Sequence, residues 1–219
     1  MSERDVQRIM VRHNTTSDYV IRLARPITEA DDFADEFQIL AGAGQNDTVK
    51  LLIVSPGGSL DTCTLITKAM YECEAHITGW IGPTCASAGS AIALACDDWE
   101  VDEMSTLMIH TASFGDGGKA PEIEASVSSK LRQIRRWVTN TYAGFLTEDE
   151  IENVIAGRDY YFDVDNGLVE RLTAYGEYRD AKRAALYEAA HNVEEELDKE
   201  PEEAVESTPS KPKRQKKAE

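Results

Sequence analysis

The amino-acid order predicts an α/β fold built on a largely parallel sheet. Three observations predict it. Short β-branched apolar runs recur along the chain, stretches with apolar residues three and four apart follow them, and glycine- or proline-containing turns separate the two. Tyr19 to Leu23 is the first such run. From Thr28 to Leu40, the residues Ala30, Phe33, Ala34, Phe37 and Leu40 repeat at helical spacing, with Thr28 as the expected N-cap and acidic residues in the first turn. Gly42, Gly44 and Asn46 break the chain, and Val49 to Val54 has the brevity and branching of a buried strand. Ser55-Pro56-Gly57-Gly58-Ser59 then reads as a turn. Leu60 to Glu72 reads as a helix with Leu65, Ile66, Ala69 and Met70 inward, and Ile77 to Ile81 as another strand.

Ala86 to Ala95 holds only Ala, Ser, Gly, Ile and Leu, the composition of a buried helix packed close to its neighbours. Thr106 to Ile109 is a short strand ending at His110. Beyond the glycine-rich stretch Phe114 to Gly118, the longest helix is expected from Pro121 to about Leu146, with Pro121 suited to its first turn. Ile123, Val127, Leu131, Ile134, Val138 and Tyr142 give it one apolar stripe. Thr147 is expected to cap a further helix running through Ile155, with Glu150 as its capping-box partner. From about Val193, Glu and Lys dominate and Pro201, Pro209 and Pro212 appear, so too little apolar surface remains to offset chain entropy. The expected organisation is an N-terminal segment over 1–18, one domain over 19–192, and a disordered tail over 193–219 that is first acidic and then basic.

The 219 residues carry a formal charge of −17, with a pI near 4.6, which repels phosphate backbones and anionic lipid. Neither nucleic acid nor a membrane is an expected partner. No apolar run approaches the roughly 20 residues that span a bilayer, and Met1 to Asn14 is charged throughout, so a cytoplasmic location is expected. Cys63, Cys73, Cys85 and Cys96 match no zinc spacing and are too sparse for a disulfide scaffold. They read as free thiols, and no metal site is expected.

Four local signals bear on chemistry. Gly57 and Gly58, directly after a strand, can turn backbone N–H groups toward a ligand with no Cβ in the way, although such a sequence is also an ordinary strand-to-helix turn. Cys85-Ala86-Ser87-Ala88-Gly89-Ser90 opens the small-residue helix with an uncrowded hydroxyl; the same serines would also serve as small packing residues. His110 closes an apolar strand, where side chains of α/β enzymes commonly gather. Asp159, in Gly157-Arg158-Asp159-Tyr160-Tyr161-Phe162, is a carboxylate beside aromatics, expected to be partly buried against an imidazolium or else paired with Arg158.

In order and spacing, from about Tyr19 to Val169, these segments resemble the Clp protease proteolytic-subunit (ClpP) family. The resemblance implies an α/β, ClpP/crotonase-like fold of repeated β-β-α units with a protruding handle helix. It implies a Ser87, His110, Asp159 triad, with an oxyanion hole from the N–H groups of Gly58 and Ala88. The implied activity is a serine endopeptidase acting on unfolded proteins or peptides inside a heptameric ring or tetradecamer. No intrinsic cofactor is implied, since ATP would enter only through an AAA+ unfoldase partner. The family usually has Met after the nucleophile and Gln-Pro after the histidine, where this chain has Ala88 and Thr111-Ala112. Alternatives are a viral capsid-maturation protease of the same superfamily, a catalytically inactive ClpP-like scaffold, and a crotonase-type acyl-CoA enzyme. A Ser/Lys dyad is disfavoured because Lys119 and Lys130 sit in no base motif. Cys85, two residues before the matched serine, reads as structural.

Overall fold

A computed structural model describes residues 16–197. The sheet has the strand order β1 (Asp18–Leu23), β2 (Thr48–Ser55), β3 (His76–Ala86), β5 (Thr106–Ile109) and β6 (Tyr160–Asp163), with β4 (Asp98–Val101) paired separately to β3. All pairings are parallel except β5 with β6, which is antiparallel. The helices are α1 (Ala34–Gly42), α2 (Leu60–Glu72), α3 (Ala88–Leu94), α4 (Ala120–Tyr142), α5 (Glu148–Ile155) and α6 (Leu168–Leu197). The mixed α/β architecture and its largely parallel sheet agree with the expectation, and β4, β5 and α4 follow one another as a β-β-α unit. One compact unit extends through Arg179, and residues from Asp180 onward form a second, whose described part continues α6 to Leu197.

The core follows from strand alternation. Val49, Leu51, Ile53 and Ser55 on β2 are buried, while Lys50, Leu52 and Val54 between them are half-buried. Each fully buried Ile or Leu contributes about 1.5–3 kcal/mol. Helix α3 is buried at every residue, which only small side chains permit at so short a distance from its neighbours: a Cβ on Gly89 would lie 3.2 Å from the Ser55 carbonyl oxygen. Arg179 serves the end of this helix, donating to the carbonyls of Leu94, Cys96 and Asp97 and stacking on Trp99 at 5.1 Å.

Strand β3 is longer than expected and divides the sheet. Its first half pairs with β4 and its end with β5. Between Ile53 and Ser55 of β2 the register jumps from Ile81 to Cys85, so residues 82–84 bulge out. Gly82 stands there because a Cβ would meet Val54 at 2.6 Å and the Ile53 carbonyl at 2.7 Å. The bulge re-aims the end of β3, from which Ser87 emerges.

Several expected details differ. The helix after Thr28 begins as a 3₁₀ turn over Ala30–Phe33 and becomes α-helical at Ala34; the Thr28 hydroxyl donates to the Asp32 carboxylate at 2.6 Å instead of capping. On α2, Leu65 is 48% exposed, and Thr62 and Cys63 take the inward places beside Ile66 and Met70. Helix α4 stops at Tyr142 rather than Leu146, because Gly144 takes φ 89°, and a Cβ there would strike the Tyr178 ring at 2.1 Å. Strands β4 and β6 and helix α6 were not foreseen. The expected charged tail lies, beyond Leu197, outside the described residues, as does most of the 1–18 segment.

The turn after α4 is fastened by one ion pair. Arg171 on α6 donates to both carboxylate oxygens of Glu150, at 2.7 and 3.0 Å, and to the Phe145 carbonyl at 3.0 Å, and it stacks on Phe162 at 4.6 Å. Thr147 and Glu150 form the expected capping box, at 3.2 and 2.9 Å. Burial raises the Glu150 pKa, but hydrogen bonds from Arg171 and the Thr147 N–H outweigh it and hold the carboxyl below its ordinary value. A carboxylate with a depressed folded pKa stabilises the fold above its unfolded pKa and loses that contribution as pH falls through the folded one. The stability gap between wild type and Glu150→Gln, measured from urea midpoints, should therefore be constant near neutrality and close progressively from about pH 5 to about pH 3.

Candidate active site

Ser87 sits at the sharp junction between β3 and α3 with φ 55° and ψ −122°, the one positive-φ non-glycine among the described residues. Such a conformation costs on the order of 1–3 kcal/mol and persists only where its surroundings fix it. Both ends of the residue are fixed. Its N–H donates to the Met108 carbonyl on β5 at 2.9 Å, and its carbonyl accepts from the Ser90 and Ala91 N–H groups at 3.0 and 3.3 Å. The result is a strand-to-helix elbow of the kind that lifts a hydroxyl clear of a sheet.

The glycine turn packs against this elbow. A Cβ on Gly57 would lie 2.6 Å from Ser87 Cβ, 2.7 Å from the Ala86 carbonyl oxygen and 2.8 Å from Ala88 N, so no other residue fits without displacing the serine. The turn itself is held by Ile27, whose N–H donates to the Gly57 carbonyl at 2.9 Å and whose carbonyl accepts the Ser59 N–H at 2.7 Å. In this parallel bridge Ile27 pairs with Gly58, which leaves the N–H of Gly58 turned away from Ile27. Ser59 caps α2 by accepting from the Thr62 N–H at 3.2 Å.

Strands β5 and β6 bring the other two residues into register. Their antiparallel pairs run Thr106 with Asp163 through Ile109 with Tyr160. The next pair in that register is His110 with Asp159, each one residue beyond the paired strand. A sequence separation of almost fifty residues is thus closed by four strand pairs.

A cavity of about 410 Å³ is lined by Gly57, Gly58, Ser87, Ala88, His110 and Trp137, among others. Four of the five expected site residues therefore share one concavity. Asp159 does not line it. It is exposed, contrary to the partial burial expected of it, because β6 is an edge strand and Asp159 precedes its first pair. The alternative pairing with Arg158 is absent too: that guanidinium stacks on Tyr160 at 5.0 Å. Among the described residues no hydrogen bond within 3.5 Å joins Ser87 Oγ to His110, or His110 to Asp159. Catalytic hydrogen bonds are commonly longer before substrate arrives and tighten around it.

Other nucleophiles and bases fall away on geometry. Cys85 is buried and desolvation pushes its thiol up to about 12, so it carries no thiolate at neutral pH. Lys130 is engaged by Asp116 at 3.1 Å and Lys119 lies 3.7 Å from Glu122, both on exposed surface. No cluster of His, Cys, Asp and Glu able to hold a metal occurs among the described residues. Sequence reasoning missed Trp137, which reaches the cavity from α4. Its position lies off the apolar stripe, and only the packing of α4 against α3 brings it to the site.

The chain is 31% identical, over 127 residues, to the ATP-dependent Clp protease proteolytic subunit 1 of Bifidobacterium longum (strain NCC 2705). That alignment covers 55% of this chain and 52% of the relative, so the chain spans about half the length of the curated relative it matches. The family model described as Clp protease matches residues 3–173, which includes the whole elbow, the glycine turn, β5 and β6. On that match, the chain belongs to the Clp protease family.

Proposed function

We propose that the chain is a serine endopeptidase that hydrolyses peptide bonds, with Ser87 as nucleophile, His110 as general base and Asp159 as the carboxylate that orients the histidine. The observation that carries the reading is the shared cavity: a serine of strained backbone, a strand-end histidine, Gly58 of the glycine turn and Ala88 at the start of α3 meet in one concavity. Ser87 Oγ attacks the substrate carbonyl as His110 takes its proton. The oxygen of the tetrahedral intermediate accepts from the N–H groups of Gly58 and Ala88. His110 then returns the proton to the departing amine, leaving an acyl-serine that water hydrolyses by the same sequence of transfers. Asp159 keeps the imidazole in the tautomer with its free nitrogen toward the serine.

Assembly belongs to the same reading. On α4, the residues from Ala120 to Gln133 include none that is buried; Leu131 is 55% exposed, while Ile134, Val138 and Tyr142 further along the same stripe are in the core. An apolar half-stripe that the chain itself covers only in part is a surface for another copy of the chain. A ring or a pair of rings that encloses the cavity would admit unfolded chains or short peptides, with ATP used by a partner unfoldase rather than by this subunit. No helix among the described residues is long and apolar enough to cross a membrane, which is consistent with a cytoplasmic place of action. The Clp protease family match does not favour the crotonase, maturation-protease and inactive-scaffold readings.

Ser87→Ala should lower peptide turnover by about 10⁶-fold and abolish labelling by a fluorophosphonate probe; turnover within tenfold of wild type would sink the assignment. Gly57→Ala should also abolish labelling, since its Cβ would fall 2.6 Å from that of Ser87; unchanged labelling kinetics would show that the turn is not held against the elbow. Sedimentation should find a species several times the 24.3 kDa chain mass, and Leu131→Glu should reduce it. A purely monomeric wild type would count against assembly.

A further inference from the structure

The carbonyl of Ser87 attracts more donors than a carbonyl needs. Besides the Ser90 and Ala91 N–H groups, Ser90 Oγ donates to it at 2.7 Å and Tyr142 Oη lies 3.4 Å away. Tyr142 Oη and Ser90 Oγ are themselves 3.0 Å apart. Because Ser90 Oγ gives its proton to the Ser87 carbonyl, the tyrosine is the donor in that second bond. Tyr142 is fully buried at the last turn of α4, and burial pushes its phenol pKa upward, so it stays protonated and remains a donor at any working pH. Ser90 is fully buried as well. Neither hydroxyl lines the cavity; the tyrosine donates to the serine and the serine to the Ser87 carbonyl, a relay that ends on one oxygen.

That oxygen is one end of a rigid unit. The peptide between Ser87 and Ala88 is planar and trans, so the Ala88 N–H points opposite to the Ser87 carbonyl. Fixing the carbonyl fixes the N–H. The strained φ at Ser87 makes such fixing necessary, since rotation of this peptide would relieve strain and swing the amide off its aim. On the far side, Gly57 leaves Ala88 N uncovered, its missing Cβ being the atom that would stand 2.8 Å away.

We infer that Tyr142 and Ser90 are positioning residues that aim the Ala88 N–H at the developing oxyanion by anchoring the opposite end of the same peptide. The inference rests on the hydrolase reading of the site. It assigns the last turn of α4 a part in transition-state stabilisation without contact with substrate. Loss of either hydroxyl loosens the donor, so its effect falls on the reaction step and not on ground-state binding.

The test is steady-state kinetics of wild type, Tyr142→Phe and Ser90→Ala on a fluorogenic peptide, with active sites counted by fluorophosphonate titration, and inhibition by a peptidyl aldehyde, whose hemiacetal presents an oxyanion. Outright loss of an oxyanion donor costs about 10²–10³-fold in kcat, and loosening one is expected to cost about tenfold. The expected result is a kcat about tenfold lower at a KM within about twofold, with the aldehyde bound about tenfold more weakly. A lowered melting temperature with unchanged kcat and aldehyde affinity per active site would mark the hydroxyls as merely structural and overturn the inference. Should Tyr142→Phe not fold, Ser90→Ala decides by the same readings. A wild type that neither turns over peptide nor takes the probe would instead remove the hydrolase reading, and this inference with it.

Discussion

A positive φ on a serine is an unstable arrangement, and the central half of this molecule is organised so that Ser87 cannot leave it. The strand pairing of β3 with β5 fixes the amide side through Met108, the first turn of α3 fixes the carbonyl side, and Gly57 closes the remaining space at less than van der Waals distance for any added atom. Each hydrogen bond contributes about 0.5–1.5 kcal/mol net, so two or three of them offset a backbone cost of on the order of 1–3 kcal/mol. The bulge over residues 82–84 belongs to the same constraint, because without it the end of β3 would keep the pairing phase of β2 and present a different residue at the elbow.

What could be read from the sequence is what local chemistry decides. The turn Ser55 to Ser59, the all-small helix after Ser87, the strand ending at His110 and the capping box of Thr147 and Glu150 each depend on residues within a few positions of one another, and each stands in the structure where its pattern put it. Grouping them into one site came from their resemblance to a known family, whose order and spacing they share. Elements fixed by distant partners were not legible. Strand β6 carries Tyr160, Tyr161, Phe162 and Asp163, with no alternation to mark it, and exists because β5 offers an edge. Strand β4, Asp98 to Val101, has two acids among its four residues and pairs only because residues 78–81 of β3, bonded to β2 on one edge, offer their other edge.

The exposure of Asp159 has the same origin. Aromatic neighbours in sequence suggested burial, yet on a strand consecutive side chains point to opposite faces, so Tyr160 and Phe162 turn toward the core while Tyr161 and Asp159 are exposed. Tyr160 is occupied on its ring face by Arg158, so the aromatic run shelters the arginine rather than the carboxylate. A carboxylate in water exerts a weakened field on an imidazole, because the interaction is divided by a high effective dielectric. In the proposed mechanism its influence on His110 has to come through a directed hydrogen bond, and the strand register places the two residues opposite one another.

Helix α4 shows how one uninterrupted sequence pattern can serve two ends. Its apolar stripe runs without a break from Ile123 to Tyr142, and nothing in the spacing marks where the chain's own core stops covering it. The structure divides it near Ile134: before that residue Ile123 and Val127 are half-buried and Leu131 is exposed, and after it Val138 and Tyr142 are fully buried. Trp137, between Ile134 and Val138, reaches the cavity and meets the Tyr142 ring edge-on at 5.8 Å. A helix is stiff over such a length, being held by a bond at every residue, so displacement of the exposed half is felt at the buried half as rotation or translation of the whole rod. The element best exposed for contact with another copy is thus also the one whose last turn grips the peptide of the proposed nucleophile.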